Sequence, residues 1–327
     1  MPTLYVIIPY YQNKAGILRR ALRSIAVQEI PSDWLIVVNV VDDGSPHPAS
    51  KELAGIDFGP VIDVRIFCQQ NRGVSAARNA GLNCVSEQAA LIAYLDSDDT
   101  WPQGHLACAI RAYENGYDFY FCDNSRPNHH ESTFALSEMT SELVSSSAGR
   151  SEGEYIDIPR RQLPRMIIKE FPTNISTVIH AAAIGKGIRF ETRLRCACED
   201  VVYLTTIATH SKNACVNPEK MVSCGAGVNI YHGSLDWDHS SFMAIRRDSV
   251  IGYSLIVGIH SLADDTKAVA RFELKRYRSD FVFHLLRRVY RKRDKVPKEF
   301  FDLMRRDPRF VFWFPVSLLR VLRYYDV

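Results

Sequence analysis

Short apolar runs alternate with helical patterns through the first part of this 327-residue chain, and this alternation limits its fold more than any other feature. Runs rich in Val, Ile and Leu are typical of strands that are buried on both faces. The predicted strands are residues 4–9, 35–41, 64–67, 91–95 and 119–122, and the predicted helices between them are residues 17–27, 74–84 and 104–115. Strands separated by helices predict an α/β fold with a mostly parallel sheet covered by helices on both faces.

The second part of the chain is mainly helical by its pattern. Residues 137–153, rich in Ser and Glu, predict a surface loop. The elements predicted after it are a helix at residues 160–169, a strand at 176–179, and helices at 200–210, 246–262, 267–293 and 310–325, although Pro315 argues against a straight, continuous last helix. We predict a catalytic α/β domain over residues 1–229 and a helical, basic and aromatic region over residues 230–327.

Charge is unevenly distributed along the chain. The whole chain carries +3, but residues 271–327 hold 16 Lys and Arg against 7 Asp and Glu, so the remainder is acidic. A basic and aromatic tail suggests an anionic partner, and amphipathic helices of this kind can lie in a membrane interface. We therefore expect a peripheral contact between residues 281–327 and an anionic membrane, with a solvated helical subdomain as the alternative. The basic residues lie in an apolar tail, so nucleic acid is not an expected partner.

The eight cysteines show neither a CxxC pair nor the spacing of zinc ligands. Several lie in apolar stretches, which suits reduced thiols in the cytoplasm. The chain shows no pattern of a signal peptide, and no segment approaches the roughly 18 apolar residues that cross a bilayer. We expect a cytoplasmic protein, placed at the inner face of the cell membrane if its tail binds there.

The fourth predicted strand ends in three carboxylates, Asp96, Asp98 and Asp99. Carboxylates this close repel one another unless a cation lies among them. Mg²⁺ and Mn²⁺ take oxygen ligands, and Mg²⁺ sites commonly combine one or two carboxylates with substrate phosphates. The alternative is a solvated acidic loop that caps the next helix.

Three other segments carry polar or aromatic groups where a strand ends or a helix begins. Two tyrosines after Pro9 either flank a flat base or mark a simple transition from core to turn. An Asp-Asp-Gly turn at residues 42–44 either accepts an N–H from a base or is an ordinary turn, which is the commoner case for such a motif alone. In residues 71–81 an arginine lies one turn into a small-residue helix, where it can reach a phosphate or a carboxylate loop. The alternative is a well-packed helix whose arginine is exposed to solvent. Glu199 and Asp200 begin another helix, where they either favour the helix dipole or provide a general base.

Together these segments resemble the family 2 glycosyltransferases, inverting enzymes of the Rossmann-like GT-A fold. The resemblance spans about residues 2–229, and its landmarks are residues 6–11, 41–45, 71–79, 95–99 and 199–200. Five short motifs in this order are far more specific than any one of them. Residues 225–231 also resemble exopolysaccharide glucosyltransferases of the succinoglycan-assembling type, which implies glucose from a UDP-sugar as the transferred group.

The resemblance implies a nucleotide-sugar-binding set: Pro9, Tyr10, Tyr11, Asp42, Asp43, Asn71, Gly73, Arg78, Asp96, Ser97 and Asp99. The segment at residues 9–11 and Asp42 would hold the base, with Asp43 supporting the turn. Arg78 would contact the nucleotide and order the acidic loop, and Asp99 would meet the donor sugar.

For the reaction itself, the resemblance implies a metal ion and a base. Asp98 would ligate Mn²⁺ or Mg²⁺ at the diphosphate, with Asp96 near the ribose or the metal and His232 as a further ligand. A loop histidine without a ligand is the alternative for His232. Asp200 would be the catalytic base and Glu199 would orient the acceptor or the donor. The expected acceptor is a glycan or a lipid-linked oligosaccharide.

Two other classes of protein remain as alternatives. A non-catalytic relative that binds nucleotides or glycans would share the fold, but the intact carboxylates argue against it. A dinucleotide-dependent oxidoreductase would need a GxGxxG turn after the first strand, where this chain has Pro-Tyr-Tyr. The resemblance to family 2 glycosyltransferases, which implies a metal-dependent, inverting hexosyltransferase, therefore remains the leading interpretation.

Overall fold

The computed structural model describes residues 1–59, 62–127, 131–146, 155–225, 236–291 and 294–324. The chain forms two compact units, Met1–Phe190 with Ile207–Val228, and Glu191–Thr206 with Asn229–Val327. The segment of residues 191–206 thus belongs with the C-terminal part of the chain. The division that the sequence predicts between residues 229 and 230 stays a prediction.

The first unit is built on one mixed sheet. Its described strands are β1 (Thr3–Tyr10), β2 (Leu35–Asp42), β3 (Ile62–Cys68), β4 (Leu91–Tyr94), β5 (Phe119–Ser125), β6 (Ile156–Ile158), β7 (Val178–Ala181) and β8 (Ala214–Ser223). Their order is β3-β2-β1-β4-β7-β5-β8-β6. The neighbours from β3 to β4 are parallel, as are β5 and β8, whereas β7 and β6 run antiparallel to their neighbours. The predicted mostly parallel sheet is confirmed, and β6 and β8 are strands that the sequence did not indicate.

The described helices that lie between these strands in the chain are α1 (Ile17–Ala26), α2 (Ala49–Glu52), α3 (Val74–Asn83), α4 (His105–Glu114), α5 (Glu138–Ser146), α6 (Gln162–Lys169), α7 (Ala182–Gly185) and α8 (Glu199–Ala208), with a short 3₁₀ helix at Ile175–Thr177. Helices α1, α3 and α4 pack on the sheet. Successive strand residues point to opposite faces. On one face, Val6 and Ile8 of β1 share a core with Leu22 of α1. On the other, Ile7 lies against Gly81 of α3, which confirms that both faces are covered.

The loop predicted at residues 137–153 is wrong over residues 138–146, which form α5. The Glu170 carboxylate accepts a hydrogen bond from the Met139 amide (3.0 Å), and the Ser137 hydroxyl donates to the same carboxylate. A negative charge at a helix N-terminus stabilises the first turn. Because Glu170 lies about thirty residues downstream, the local composition could not reveal this cap.

The second unit is helical in the part that the structure describes. Its helices are α9 (Phe242–Val257), α10 (Asp264–Leu286), α11 (Lys298–Arg306) and α12 (Phe310–Tyr324), and a π-helical turn at Arg287–Arg291 follows α10. The expectation that Pro315 interrupts the last helix is wrong, because α12 includes it. Pro315 lies at an exposed position, where water can satisfy the carbonyl that loses its helical partner.

Aromatic rings hold α10 and α12 together. Phe281 of α10 and Phe310 of α12 are fully buried, and their ring centroids lie 5.8 Å apart in an edge-to-face arrangement. Such pairs contribute about 1 kcal/mol beyond the area they bury. Among the described helices, none is long and apolar enough to cross a membrane.

Candidate active site

The predicted site residues of the first unit gather at one edge of the sheet. Strands β1 to β4 are parallel to their neighbours, so their carboxyl ends, where α/β folds bind ligands, lie at the same edge. Side chains join the loops that leave this edge. The Gln12 amide donates to the Ser45 hydroxyl (2.8 Å), and the Gln12 side chain donates to the Ser97 hydroxyl (3.2 Å). Ser97 is therefore a buried link between two loops.

The two tyrosines after Pro9 occupy different environments. Tyr10 is fully buried, and its hydroxyl lies 2.9 Å from the Glu52 carboxylate and 2.7 Å from the carbonyl of His47, either of which can accept its one proton. Burial, followed by the hydrogen bond and the charge of Glu52, raises the pKa of Tyr10 well above its usual value. A ring with no exposed surface cannot stack on a base, so the expectation for Tyr10 is wrong. Tyr11 is 39% exposed and can offer a ring to a ligand, while Pro9 is buried within β1.

Asp42 closes the turn after β2. Its two carboxylate oxygens accept hydrogen bonds from the amides of Ser45 (2.7 Å) and Ala49 (2.8 Å), and the residue is buried. A carboxylate with two amide donors caps the backbone of its own loop. The contact of Asp42 with a nucleotide base stays a prediction, and it would use a second lone pair of an oxygen that is already bonded.

Asp43 ties the turn after β2 to the loop before α3. It accepts hydrogen bonds from the Gln69 side chain (2.7 Å) and from the amides of Arg72 and Gly73 (both 2.8 Å). Gly73 has φ 92°, a left-handed conformation that favours glycine. Asn71 lies between these donors and packs against Gly44. The contacts of Asp43 therefore fit a residue that supports the loop.

Arg78, on α3, contacts the acidic turn, which is formed by residues 96–99. Its guanidinium bonds the Asp96 carboxylate (2.9 Å) and lies over the ring of Phe190, 5.2 Å from the centroid. The Arg78 side chain is 4% exposed, whereas that of Asp96 is 34% exposed. Since both contacts hold the guanidinium in place, Arg78 fixes Asp96 and leaves part of its carboxylate facing solvent.

Asp99 turns inward from the same acidic turn. It is 4% exposed and accepts hydrogen bonds from the Ser176 hydroxyl (2.7 Å) and the Gly225 amide (2.8 Å). Burial, followed by the negative charges of Asp96 and Asp98, raises the pKa of Asp99 to about 7. Asp99 is thus an anchor within the turn, and its predicted contact with the donor sugar stays a prediction.

Backbone contacts hold Asp98 from two sides. Its carbonyl accepts a hydrogen bond from the Arg20 guanidinium (2.7 Å). Gly225 packs so closely on that carbonyl that a Cβ atom at position 225 would overlap it. Beside this contact, Thr100 and Ser223 exchange two backbone hydrogen bonds (2.9 and 3.0 Å). The end of β8 therefore clamps the turn, and Asp98 is only half-buried.

The acidic turn fits a divalent cation with few protein ligands. Among the described residues, no group of three or more His, Cys, Asp or Glu side chains is arranged to hold a metal. Asp96 and Asp98 remain as two half-buried carboxylates, and their charges add to burial in raising the pKa of the neighbouring Asp99. Hard cations such as Mg²⁺ use one or two carboxylates together with substrate phosphates. His232, the third predicted ligand, lies outside the described residues.

Two residues that support the turn were absent from the predicted site. The Ser176 hydroxyl donates to Asp99 and accepts from the Asp96 amide (3.0 Å), so one group joins both ends of the turn. The Asn174 side chain caps the 3₁₀ helix by accepting from the Ser176 amide (2.8 Å). The sequence marked residues 176–179 only as a strand, and nothing in that pattern signals a contact with residues 96–99.

Glu199 and Asp200 lie in the second unit, in the first turn of α8. Cys198, directly before them, has φ 67°, a conformation that costs energy for a residue other than glycine. Asp248 of α9 accepts hydrogen bonds from the amides of Arg195 (2.9 Å) and Cys196 (2.8 Å). The buried Asp248 thus fixes the segment that leads to the predicted catalytic pair. The sequence did not indicate this role of Asp248.

Comparison with known sequences places this site in a family. Residues 5–184 match the family model described as Glycosyl transferase family 2. The succinoglycan biosynthesis protein ExoW of Rhizobium meliloti (strain 1021) is 28% identical over 317 residues, which cover 95% of this chain and 96% of that protein. The likeness therefore extends through the helical C-terminal region as well as the matched domain.

Solved structures share the fold. Residues 1–349 of S. aureus TarS match with a TM-score of 0.61 at 16% identity, covering 95% of this chain and 81% of that chain. The same protein in complex with UDP-GlcNAc matches with a TM-score of 0.58 at 18% identity, over the same shares. Mannosyltransferase PcManGT from Pyrobaculum calidifontis, in complex with GDP-Man and Mn²⁺, gives 0.55 at 14% identity, covering 97% of this chain and 84% of that chain. These likenesses confirm the predicted GT-A fold class.

Proposed function

Since the chain belongs to glycosyl transferase family 2, we propose that it is an inverting hexosyltransferase that takes its sugar from a nucleotide-diphosphate donor, with UDP-glucose the best candidate. The expected acceptor is a glycan or a lipid-linked oligosaccharide in the synthesis of surface polysaccharide. The likeness to a succinoglycan biosynthesis protein over nearly the whole chain supports this choice of pathway class. The observation that carries the proposal is the acidic turn at the carboxyl edge of the sheet.

Asp98 and Asp96 would hold Mn²⁺ or Mg²⁺, which neutralises charge on a diphosphate leaving group. Arg78 holds the Asp96 carboxylate at 2.9 Å, so that carboxylate keeps its direction when a donor binds. Asp99 is bonded inward to Ser176 and Gly225, and it therefore keeps the turn in shape. Asp96 and Asp98 would thus bind the metal, and Asp99 would support the turn.

Asp200 would remove the proton from the acceptor hydroxyl that attacks the sugar, with Glu199 orienting the reactants. A positioned carboxylate contributes about 10²–10⁴-fold as a general base. Attack opposite to the leaving group in one displacement inverts the anomeric centre, and no covalent nucleophile is needed. The bonds from Asp248 to the preceding amides support this role, because they limit the motion of the segment that carries Asp200.

An assay of nucleotide release with a panel of nucleotide sugars would test the roles of the acids. Each donor is assayed with Mn²⁺, Mg²⁺ or EDTA, both with and without membrane extract as the source of acceptor. Asp98→Asn should lower metal-dependent turnover by about 10³-fold, because one of two protein ligands is lost. Asp200→Asn should bind the donor normally and lose transfer by about 10²–10⁴-fold. Asp33→Asn, at an exposed loop position, is the matched control.

Normal turnover by either variant would contradict the role assigned to that residue. Tight nucleotide binding by the wild-type chain without release or transfer for any donor would instead identify the non-catalytic alternative. Transfer that EDTA does not reduce would contradict the metal dependence while leaving the general base in place.

We also propose a peripheral contact of residues 281–327 with an anionic membrane, which would place the enzyme at the cytoplasmic face of the cell membrane. Phe301, Phe312 and Leu319 are each more than 60% exposed on α11 and α12. The same segment is strongly basic. Apolar side chains that insert beside basic ones are typical of helices that lie in a bilayer interface. Flotation with phospholipid vesicles measures this contact.

A further inference from the structure

A cavity of about 360 Å³ lies in the second unit between α10 and α12. Four basic residues line it: Lys275, Arg278, Arg320 and Arg323. None of the described residues that line it is an Asp or a Glu. Ligand cavities in proteins begin at about 300 Å³, so the space suits a small group rather than a polymer. Its charge selects an anion.

Arg278, one of the residues that line this cavity, is held in place and still has N–H donors to offer. Arg278 is 4% exposed, bonds Asp307 through one guanidinium nitrogen (3.0 Å), and stacks on the ring of Trp313 at 5.3 Å. Its buried Nε has no hydrogen-bond partner among the described residues. Because a guanidinium carries five N–H donors, the bond to Asp307 leaves capacity for a phosphate oxygen.

Two further cations stand at the exposed rim. Lys275 lies three residues before Arg278, on the same face of α10, and Arg320 lies seven residues after Trp313, on the same face of α12. Both are exposed, and neither has an ion-pair partner within the described part of the chain. Cations without a protein counter-ion raise the local affinity for an anionic ligand.

Apolar side chains continue from the rim of the cavity along α12. Val316 and Leu319, which line the cavity, are 52% and 69% exposed, and Phe312 nearby is 80% exposed. A soluble anion would gain nothing from these side chains, whereas the acyl chains around a lipid headgroup would bury them. Charge and apolar surface together therefore favour an amphiphilic anion.

We infer that this cavity binds the phosphate headgroup of an anionic lipid, a phosphomonoester or diphosphate, while the exposed face of α12 lies among the acyl chains. Arg278 would hold the phosphate, and Lys275 and Arg320 would close on it from the rim. The inference rests on the proposed membrane contact and deepens it from a general attraction to a defined headgroup site. It is independent of the glycosyl-transfer proposal.

The test compares vesicles that contain phosphatidic acid with vesicles that contain phosphatidylglycerol, adjusted to equal surface potential. The full chain should bind phosphatidic acid vesicles at least tenfold more tightly. Removal of any two cations near an anionic membrane should cost about 1 kcal/mol each, or roughly 30-fold together, on either lipid. Lys275→Ala combined with Arg320→Ala should lose about tenfold more than this on phosphatidic acid, because it also removes charge-assisted hydrogen bonds to the headgroup, and no more than this on phosphatidylglycerol. Lys295→Ala combined with Lys298→Ala removes the same charge from exposed positions outside the cavity and is the control.

The proposal of a headgroup site is contradicted if both double variants lose the same fold of affinity for phosphatidic acid vesicles. It is also contradicted if the wild type binds the two lipids equally. If the wild type shows no preference, its binding to both kinds of vesicle would still support the general membrane contact. Calorimetric titration with inorganic diphosphate, without vesicles, separates a soluble ligand from a lipid. Tight diphosphate binding without any lipid preference would overturn the assignment to a lipid. Nucleotide release by the variants should stay at the wild-type rate.

Discussion

At the scale of single residues, the acidic turn shows what spacing can predict and what it cannot. The spacing of Asp96, Asp98 and Asp99 indicated a concentrated negative charge, and the raised pKa of Asp99 agrees with it. The direction in which each acid points depends on partners far along the chain, such as Ser176 and Gly225. Likewise, Tyr10 at the end of β1 could not be recognised as a core residue without its partner Glu52.

Ser176 joins two parts of the turn, so its hydroxyl is a sensitive place to disturb the site. Ser176→Ala removes a donor to Asp99 and an acceptor for the Asp96 amide. We expect the free energy of unfolding to fall by about 1–3 kcal/mol, because a buried carboxylate loses a partner. Transfer should slow about tenfold through the displaced turn. Urea denaturation and the nucleotide-release assay measure both effects.

Ser86→Ala is the control for that change, because the Ser86 hydroxyl accepts only a local, exposed hydrogen bond. Wild-type rate and stability in Ser176→Ala would show that the turn keeps its shape without this hydroxyl. A loss in both variants would point to a general effect of the substitution.

We expect His105 to make the stability of the first unit depend on pH. Complete burial lowers its pKa to about 3, below the usual 6.5, so the folded chain keeps it neutral. A depressed pKa gives stability that is present above pH 6.5 and is lost as the pH falls towards 3. The loss should be about 2 kcal/mol between pH 7 and pH 5. His105→Leu should flatten this part of the curve of unfolding free energy against pH.

His260→Gln is the matched control, since His260 is exposed. Circular dichroism during urea denaturation at several pH values measures the slope. An unchanged slope in His105→Leu would contradict the assignment. The buried His180, whose pKa is lowered to about 4 by burial, contributes in the same direction and stays in place in both variants.

At the scale of elements, periodicity predicted the long helices and the first five strands because their apolar residues recur at the spacing of the structure. The short strand β6 and the mostly polar end of β8 lack that signal. Their place in the sheet comes from pairing with each other, and for β8 also with β5. The helix α5 was missed because its cap comes from Glu170. Long-range contacts, rather than local propensity, decide these elements.

The close packing of α3 on the sheet depends on one glycine. A Cβ atom at Gly81 would lie 2.6 Å from the Cγ2 atom of Ile7. Although alanine is normally the better helix residue, Gly81→Ala should destabilise the fold by about 1–3 kcal/mol through overpacking. Thermal or urea unfolding measures the change.

A double-mutant cycle with Ile7→Ala identifies the cause of that loss. If the clash with Ile7 is responsible, the two changes together should cost less than the sum of their separate costs. Simple additivity would refute the steric explanation, and a gain in stability for Gly81→Ala alone would show that the helix shifts freely on the sheet.

At the scale of the whole molecule, composition predicted an acidic body and a basic, apolar tail. The structure adds which side chains of that tail are exposed, which a sequence with mixed apolar and basic residues cannot specify. Phe310 is fully buried, whereas Phe312, two residues later, is 80% exposed. The residues that face outward can therefore be changed without disturbing the core of the second unit.

Phe312→Ser combined with Leu319→Ser should weaken binding to phosphatidylglycerol vesicles at least tenfold, because two apolar side chains no longer enter the bilayer interface. Raising the salt concentration from 0.05 to 0.5 M should weaken the wild type further, since the basic charge is screened. Flotation on a density gradient measures both effects.

Leu136→Ser, at a residue of the first unit that is 64% exposed, is the matched control. Equal flotation of the double variant and the wild type would contradict the membrane contact. Catalytic release of nucleotide should be unaffected in all three proteins, because none of these side chains belongs to the acidic turn.

The order of strands also has a consequence for synthesis on the ribosome. Strands β1 to β4 are complete once residue 94 has emerged, but β5 cannot pair with β8, nor Asp99 receive the Gly225 amide, until some 130 residues later. At about 5–20 residues per second, that interval lasts roughly 6–26 s. The edge of β4 is open for a shorter time, because its partner β7 is complete once Ala181 has emerged, about 87 residues after Tyr94 and roughly 4–17 s later at the same rate. During that time the unpaired backbone groups of β4 could pair with a strand of another chain.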